Sequence, residues 1–110
     1  MCGISGIINK NISKVDRKEI QKINDLIAHR GPDSEGFYFE KNFAFGHRRL
    51  SIFDLTSHGH QPMKDEDLEV VYNGEIYNFE EIKKELEKYG YIFDSHSDTE
   101  VILKAYHKWG

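Results

Sequence analysis

The sequence predicts an α+β domain in which mostly antiparallel sheet is packed on helix. Three observations carry this: short β-forming segments separated by polar turns, helical periodicity in separate stretches, and no internal repeat, low-complexity segment or linker. At 110 residues the chain suits one domain. It can bury about 60–70% of its unfolded surface. Charged residues make up 31% and the net charge is −4, a balance that recruits neither nucleic acid nor membrane by charge. The longest apolar runs, such as Val70-Val71-Tyr72, fall far short of the ~18 residues of a spanning helix. The N-terminus lacks the basic and apolar regions of a secretory signal, so the predicted location is cytoplasmic. One cysteine, Cys2, excludes an internal disulfide and a Cys-x-x-Cys zinc site, and a reducing compartment keeps its thiol usable.

The first element is a short apolar strand at Gly3-Ile4-Ser5-Gly6-Ile7-Ile8, whose two glycines suit close approach of other backbone. A helix fits residues 17–28, with Asp16 as N-cap, Glu19 three residues on, and Ile20, Ile23 and Ile27 on one face. Arg30-Gly31-Pro32-Asp33 ends it. Strands at Gly36–Phe39 and Ala44–Ile52, joined by Glu40-Lys41-Asn42, form a hairpin. A loop follows from Asp54 to Lys64. The stretch from Leu68 to Tyr77 is expected to form a second hairpin turning on Asn73-Gly74. Asn78 is placed to cap a helix over residues 79–89, with Phe79, Ile82, Leu86 and Tyr89 on one face and Gly90 as terminator. Ser97 with Glu100 opens a last helix that carries Val101, Ile102, Ala105, Tyr106 and Trp109 toward a core.

If Met1 is removed, Cys2 carries a thiol with a pKa of about 8.5 and an α-amine of about 8, so nucleophile and proton acceptor share one residue. Initiator methionine is usually excised before a small residue, and Cys2 is one. Attack on an amide also needs oxyanion donors and anchors for the substrate. Asn73-Gly74 offers a side-chain amide beside an unobstructed backbone N–H, and equally offers a plain hairpin turn. Arg48 and Arg49 alternate to opposite faces of their strand, so one of them can face a site and bind a carboxylate bidentately. Asp98 can hold an ammonium group or simply serve the helix start beside Ser97. His58 and His60 lack a third ligand of obvious spacing for a metal, and His29 or His47 offers a base for a Cys–His dyad.

Six segments, in order along the chain, carry a resemblance: Met1-Cys2-Gly3-Ile4-Ser5-Gly6, His29-Arg30-Gly31-Pro32-Asp33-Ser34-Glu35-Gly36, His47-Arg48-Arg49-Leu50-Ser51-Ile52, Gln61-Pro62-Met63, Tyr72-Asn73-Gly74-Glu75-Ile76-Tyr77-Asn78 and Ser97-Asp98-Thr99-Glu100-Val101-Ile102. Together they closely resemble the N-terminal glutaminase domain of glutamine-hydrolysing asparagine synthetases, class II glutamine amidotransferases. The resemblance implies a partial N-terminal nucleophile hydrolase fold, an α/β/β/α sandwich of mostly antiparallel sheets. It implies Cys2 as nucleophile with its α-amine assisting proton transfer, and Asn73 and Gly74 as oxyanion hole. Arg49 in the Arg49-Leu50-Ser51-Ile52-Phe53 segment would take the glutamine α-carboxylate, while Asp98 and the Asn73-Gly74-Glu75 segment hold the α-amine and orient the amide.

The family's domain continues past position 110 and an ATP-using synthetase domain follows it, so the resemblance implies a truncated form. No phosphate-cradling glycine loop is present here. No cofactor or metal is expected in this domain, with ATP and Mg confined to the synthetase domain. The expected partners are L-glutamine and a synthetase domain or subunit, with association into a homo-oligomer left open. The alternative function is an inactive remnant or a regulatory glutamine-binding fragment.

Overall fold

A computed structural model describes residues 2–50 and 59–110. Strand β1 (Gly3–Ile8) is followed by helix α1 (Arg17–Leu26), a short 3-10 turn (Ala28–Arg30), β2 (Ser34–Phe39), β3 (Phe43–Arg49), β4 (Met63–Asp65), β5 (Leu68–Val70), α2 (Phe79–Lys88) and α3 (Asp98–Trp109). The first three strands form an antiparallel sheet in the order β1-β3-β2, and β4 and β5 form an antiparallel ribbon. This is the α+β layout expected from the sequence, and it is consistent with an N-terminal nucleophile hydrolase type of fold.

The register sets Gly3 opposite Arg48 and Arg48 opposite Glu35, while Ile7, Ala44 and Phe39 line up across the three strands. Alternation therefore gives the sheet two distinct faces. On one, Val15, Ile20 and Ala44 form a buried cluster with Ile7, Phe37 and Phe39 packed against it. Ile20 is fully buried from α1, a burial that contributes roughly 1.5–3 kcal/mol. The helix begins as its cap predicts, with the Lys18 N–H donating to Asp16 Oδ1 at 2.9 Å. It also lays a polar group on the sheet. Asn24 is fully buried, accepting from Ser5 Oγ at 3.2 Å and donating to Glu35 at 3.3 Å. A Cβ on Gly46 would stand only 2.9 Å from Asn24 Oδ1, so the missing side chain makes the room.

The other face carries His47 and Arg49 on β3, with Ile4 and Ile8 on β1 49% and 71% exposed. Its β2 edge meets the segment around Gln61, because a Cβ on Gly36 would collide with the Gln61 carbonyl. Beyond that segment, α3 packs on the ribbon and α2 on α3. Lys104 and His107 of α3 reach Asp65 of β4 at 3.0 and 3.3 Å.

The expected hairpin turning on Asn73-Gly74 is not formed. Among the described residues the second hairpin runs through Glu66 and Asp67, with Glu66 at φ +54°, and Met63 and Lys64 are strand rather than loop. A type I′ turn needs positive φ at both central residues, and neither Asn73 nor Gly74 has it. Asn78 precedes α2 but makes no side-chain capping bond. At α3 the Ser97 hydroxyl accepts the Thr99 N–H at 3.1 Å, while Glu100 turns back to the Asp94 and Ser95 N–H groups at 2.9 and 2.8 Å. Tyr106 and Trp109, expected in a core, are 59% and 50% exposed. No helix among the described residues is long and apolar enough to cross a membrane.

Candidate active site

Cys2 is set by strand pairing. The register that opposes Gly3 to Arg48 brings the residue before Gly3 to the end of β3. There the Leu50 N–H donates to Cys2 Sγ at 3.2 Å, and the Leu50 carbonyl stands 3.4 Å from the same sulfur. The Cys2 sulfur thus both accepts from the Leu50 N–H and donates to the Leu50 carbonyl, and the pair fixes where it sits. The residue's backbone is held as well, by Arg30 Nε donating to the Cys2 carbonyl at 3.3 Å. The turn after α1 thus helps hold the Cys2 backbone in place.

The two adjacent arginines part as alternation requires. Arg48 lies on the α1 side, where it donates to Glu35 at 2.8 Å and to the Gly31 carbonyl at 3.1 Å. Arg49 lies on the other face, only 8% exposed, and its backbone carbonyl accepts the Asp33 N–H at 2.9 Å. A buried guanidinium is costly unless it meets acceptors, and the alternation of β3 puts Arg49 on the Cys2 side of the sheet. Ser51, Ile52 and Phe53, expected to line the substrate, lie outside the described residues.

Asn73, Gly74 and Glu75 lie in an irregular segment between β5 and α2. Asp98, the first residue of α3, is nearly buried and accepts the Ile76 N–H at 2.9 Å. Its carboxylate therefore reaches beyond its own helix start, to the end of the segment that carries Asn73. Burial pushes the Asp98 carboxyl up, while the Ile76 and Thr99 N–H groups pull it back down. Gly74 is exposed, and a Cβ there would stand 2.7 Å from the Tyr72 hydroxyl.

The two halves are joined through His47 and Tyr72. His47 Nε2 lies 3.3 Å from the Tyr72 carbonyl, and the Tyr72 N–H donates to Gln61 Oε1 at 2.6 Å. Gln61 Nε2 in turn donates to Thr99 Oγ1 at 3.1 Å. Gln61, Tyr72 and Thr99 stand in three of the segments that carry the resemblance, but the sequence alone assigns them no role of their own; it is their mutual contacts that do so. For His47, the candidate base of a Cys–His dyad, Nε2 donates to the Tyr72 carbonyl, which only accepts, and among the described residues neither ring nitrogen is hydrogen-bonded to the Cys2 thiol. His29 is exposed on the 3-10 turn. The His58-x-His60 metal alternative falls partly outside the described residues, and the one three-residue His/carboxylate grouping found among those described is Glu66, Asp67 and His107.

The arrangement places a held thiol and a buried arginine at one strand end, and a clamped segment with a buried carboxylate behind it. Comparison with known proteins identifies the family. Residues 1–110 match the family model described as a glutamine amidotransferase domain. The chain is 46% identical over 111 residues to asparagine synthetase [glutamine-hydrolyzing] 1 of Bacillus subtilis, covering 96% of this chain and 17% of that protein. It is 45% identical over 130 residues to a putative asparagine synthetase [glutamine-hydrolyzing] 2 of Methanocaldococcus jannaschii, covering 100% of this chain and 24% of that protein. Amidase chry2 of Gibberella zeae is 38% identical over 124 residues, with 100% and 18% covered. The chain thus spans between 17 and 24% of the length of these relatives. With its whole length inside the match, the chain belongs to the glutamine amidotransferase domain family.

Proposed function

We propose that this domain hydrolyses L-glutamine to glutamate and ammonia with Cys2 as an N-terminal nucleophile. The observation that carries the reading is the Leu50 N–H donating to Cys2 Sγ at 3.2 Å in a chain matched throughout by the amidotransferase family. Removal of Met1 frees the Cys2 α-amine, which accepts the thiol proton. The thiolate attacks the amide carbon of the glutamine side chain, and the oxygen that gains charge is taken by the Asn73 side-chain N–H and the Gly74 backbone N–H. Collapse breaks the C–N bond, the leaving nitrogen takes the proton from the α-amine, and ammonia departs. Water then cleaves the γ-glutamyl thioester, returning the thiol and releasing glutamate.

Arg49 binds the substrate carboxylate and Asp98 its ammonium, with Leu50, Ser51, Ile52, Phe53 and Glu75 completing the contacts. None of these steps calls for a cofactor. ATP and Mg belong to a synthetase domain or subunit that consumes the ammonia to make an amide, as the names of the relatives suggest for those proteins. The test is N-terminal mass spectrometry with a glutaminase assay. Protein beginning at Cys2 should release ammonia, and Cys2→Ala or protein with Met1 retained should release none. Glutamine binding without turnover in the processed protein would make the domain a regulatory glutamine-binding fragment instead.

A further inference from the structure

The segment carrying Asn73 and Gly74 belongs to no strand, so no ladder fixes its shape. Side chains do so instead, and two of them act on one residue. Gln61 Oε1 takes the Tyr72 N–H at 2.6 Å and His47 faces the Tyr72 carbonyl at 3.3 Å, so both backbone groups of the residue before Asn73 are held. The Tyr72 carbonyl and the Asn73 N–H share one planar peptide unit. Fixing the carbonyl therefore fixes the direction in which Asn73 leaves.

Each clamp is itself oriented. Gln61 must present oxygen to an N–H, which turns its amide nitrogen toward Thr99 Oγ1 at 3.1 Å. His47 is fully buried, and its second nitrogen, Nδ1, has no hydrogen-bond partner among the described residues. A buried acceptor left unpaired is a cost. An apolar side chain would avoid that cost, but it would lose the donor at Nε2. The Tyr72 ring adds a third restraint, because its hydroxyl occupies the space next to the Gly74 α-carbon.

We propose that His47 and Gln61 are positioning residues for the oxyanion hole: they set the Tyr72–Asn73 peptide and through it aim the Asn73 amide and the Gly74 N–H. This rests on the reading of Asn73 and Gly74 as oxyanion donors. Neither His47 nor Gln61 touches substrate in this scheme. They act through Tyr72.

The experiment uses the full chain processed to Cys2 and reads two quantities. Amide hydrogen exchange at Tyr72, whose N–H is held by Gln61, followed by NMR without glutamine, reports the clamp, and steady-state glutaminase kinetics report its consequence. His47→Leu removes the donor, whereas His47→Gln returns an amide N–H near the Nε2 position. In His47→Leu exchange at Tyr72 should rise about tenfold or more while α1 stays protected. Turnover should fall by about 10- to 100-fold with KM within about twofold, and His47→Gln should recover most of both. Should His47→Leu fail to fold, Thr99→Val, which only frees the Gln61 amide, takes its place with the same pattern at smaller amplitude. Unchanged exchange at Tyr72 in a folded variant overturns the proposal, as does faster exchange with normal kcat in an active enzyme. Faster exchange in a protein that never hydrolysed glutamine upholds the clamp and overturns the glutaminase reading instead.

Discussion

Asp98 Oδ2 accepts the Ile76 N–H at 2.9 Å, so the first residue of α3 ties down the far end of the segment that carries Asn73 and Gly74. The carboxylate serves the loop's backbone and also takes backbone N–H groups at its own helix start, and the proposed function adds a substrate ammonium to these partners. Asp98→Asn keeps an oxygen for Ile76 and removes the charge. It is expected to fold normally and to raise KM for glutamine by about 10- to 100-fold, the loss of a charge-assisted contact of roughly 1.5–3 kcal/mol. Normal KM in that variant would reduce Asp98 to a loop tether.

Arg48 and Arg49 are neighbours with different work, and substitution should separate them. Arg49→Ala is expected to raise KM with little change in melting temperature. Arg48→Ala breaks the 2.8 Å contact to Glu35 and the 3.1 Å contact to Gly31, and should cost about 1–2 kcal/mol of stability with glutamine affinity kept. Urea denaturation and steady-state kinetics on both variants give the comparison. An Arg48→Ala protein with raised KM and unchanged stability would reverse the assignment of faces.

The oxyanion role of Asn73 predicts a loss confined to turnover. Asn73→Ala should lower kcat by roughly 10²- to 10³-fold, about 3–4 kcal/mol, at nearly unchanged KM. Asn73→Asp or Asn73→Gly preserves a compact loop residue without the amide donor and should be as impaired. Near-normal kcat in either one contradicts the role.

Acid should destabilise the fold through His47. Burial lowers its pKa from 6.5 to about 4, with the Tyr72 carbonyl pulling the other way and His60 and Arg49 adding to the lowering. The folded ring binds a proton less readily than the unfolded one, so unfolding is promoted as protons become available. The stability is fully present above about pH 6.5 and is lost as pH falls toward 4, by at most about 3 kcal/mol at roughly 1.4 kcal/mol per unit. Asp98 and Glu69, both raised by burial, oppose this, since acid relieves their cost. Comparing urea midpoints of wild type and His47→Gln between pH 7 and 4 isolates the histidine. Identical pH dependences would show that the folded ring takes up its proton as readily as the unfolded one.

Gly36 marks the contact between the sheet and the Gln61 segment. An added Cβ would strike the Gln61 carbonyl, which is backbone and cannot swing aside. Gly36→Ala should therefore cost about 1–3 kcal/mol and also depress kcat, because Gln61 moves with its backbone. Thermal melts and glutaminase kinetics would show both effects together, and an alanine tolerated in both would mean that the contact relaxes freely.

Much of the architecture was legible because its causes are local. Asp16 announces the start of α1, and the alternation in β3 separates Arg48 from Arg49. The end of α1 was less legible, since Ile27 leaves the helix at φ −103° and passes into the 3-10 turn. The second hairpin was misplaced for a physical reason. Asn73-Gly74 has the strongest local turn preference in its region, but Gln61 and His47 take the Tyr72 backbone groups that a ladder would need. The site divides the same way. Cys2 stands out by its type and place, whereas Arg49 and Asp98 take their expected roles only from the resemblance, and Gln61, Tyr72 and Thr99 are tied together by partners between 11 and 38 positions away.

The alternation in β3 makes the strand a parity code. Its odd-numbered residues His47 and Arg49 share the face toward the Tyr72 segment, while even-numbered Ala44 and Arg48 share the face toward α1. One residue inserted or deleted between Ala44 and His47 would exchange the two sets, burying Arg48 where Arg49 now stands and turning His47 toward the helix. Variation in length along this strand is thus tolerable only in steps of two, while the Glu40-Lys41-Asn42 turn can change size by shifting β2 alone. A family of such domains drifting in sequence would keep the spacing from His47 to Arg49 long after it had replaced the residues between the elements.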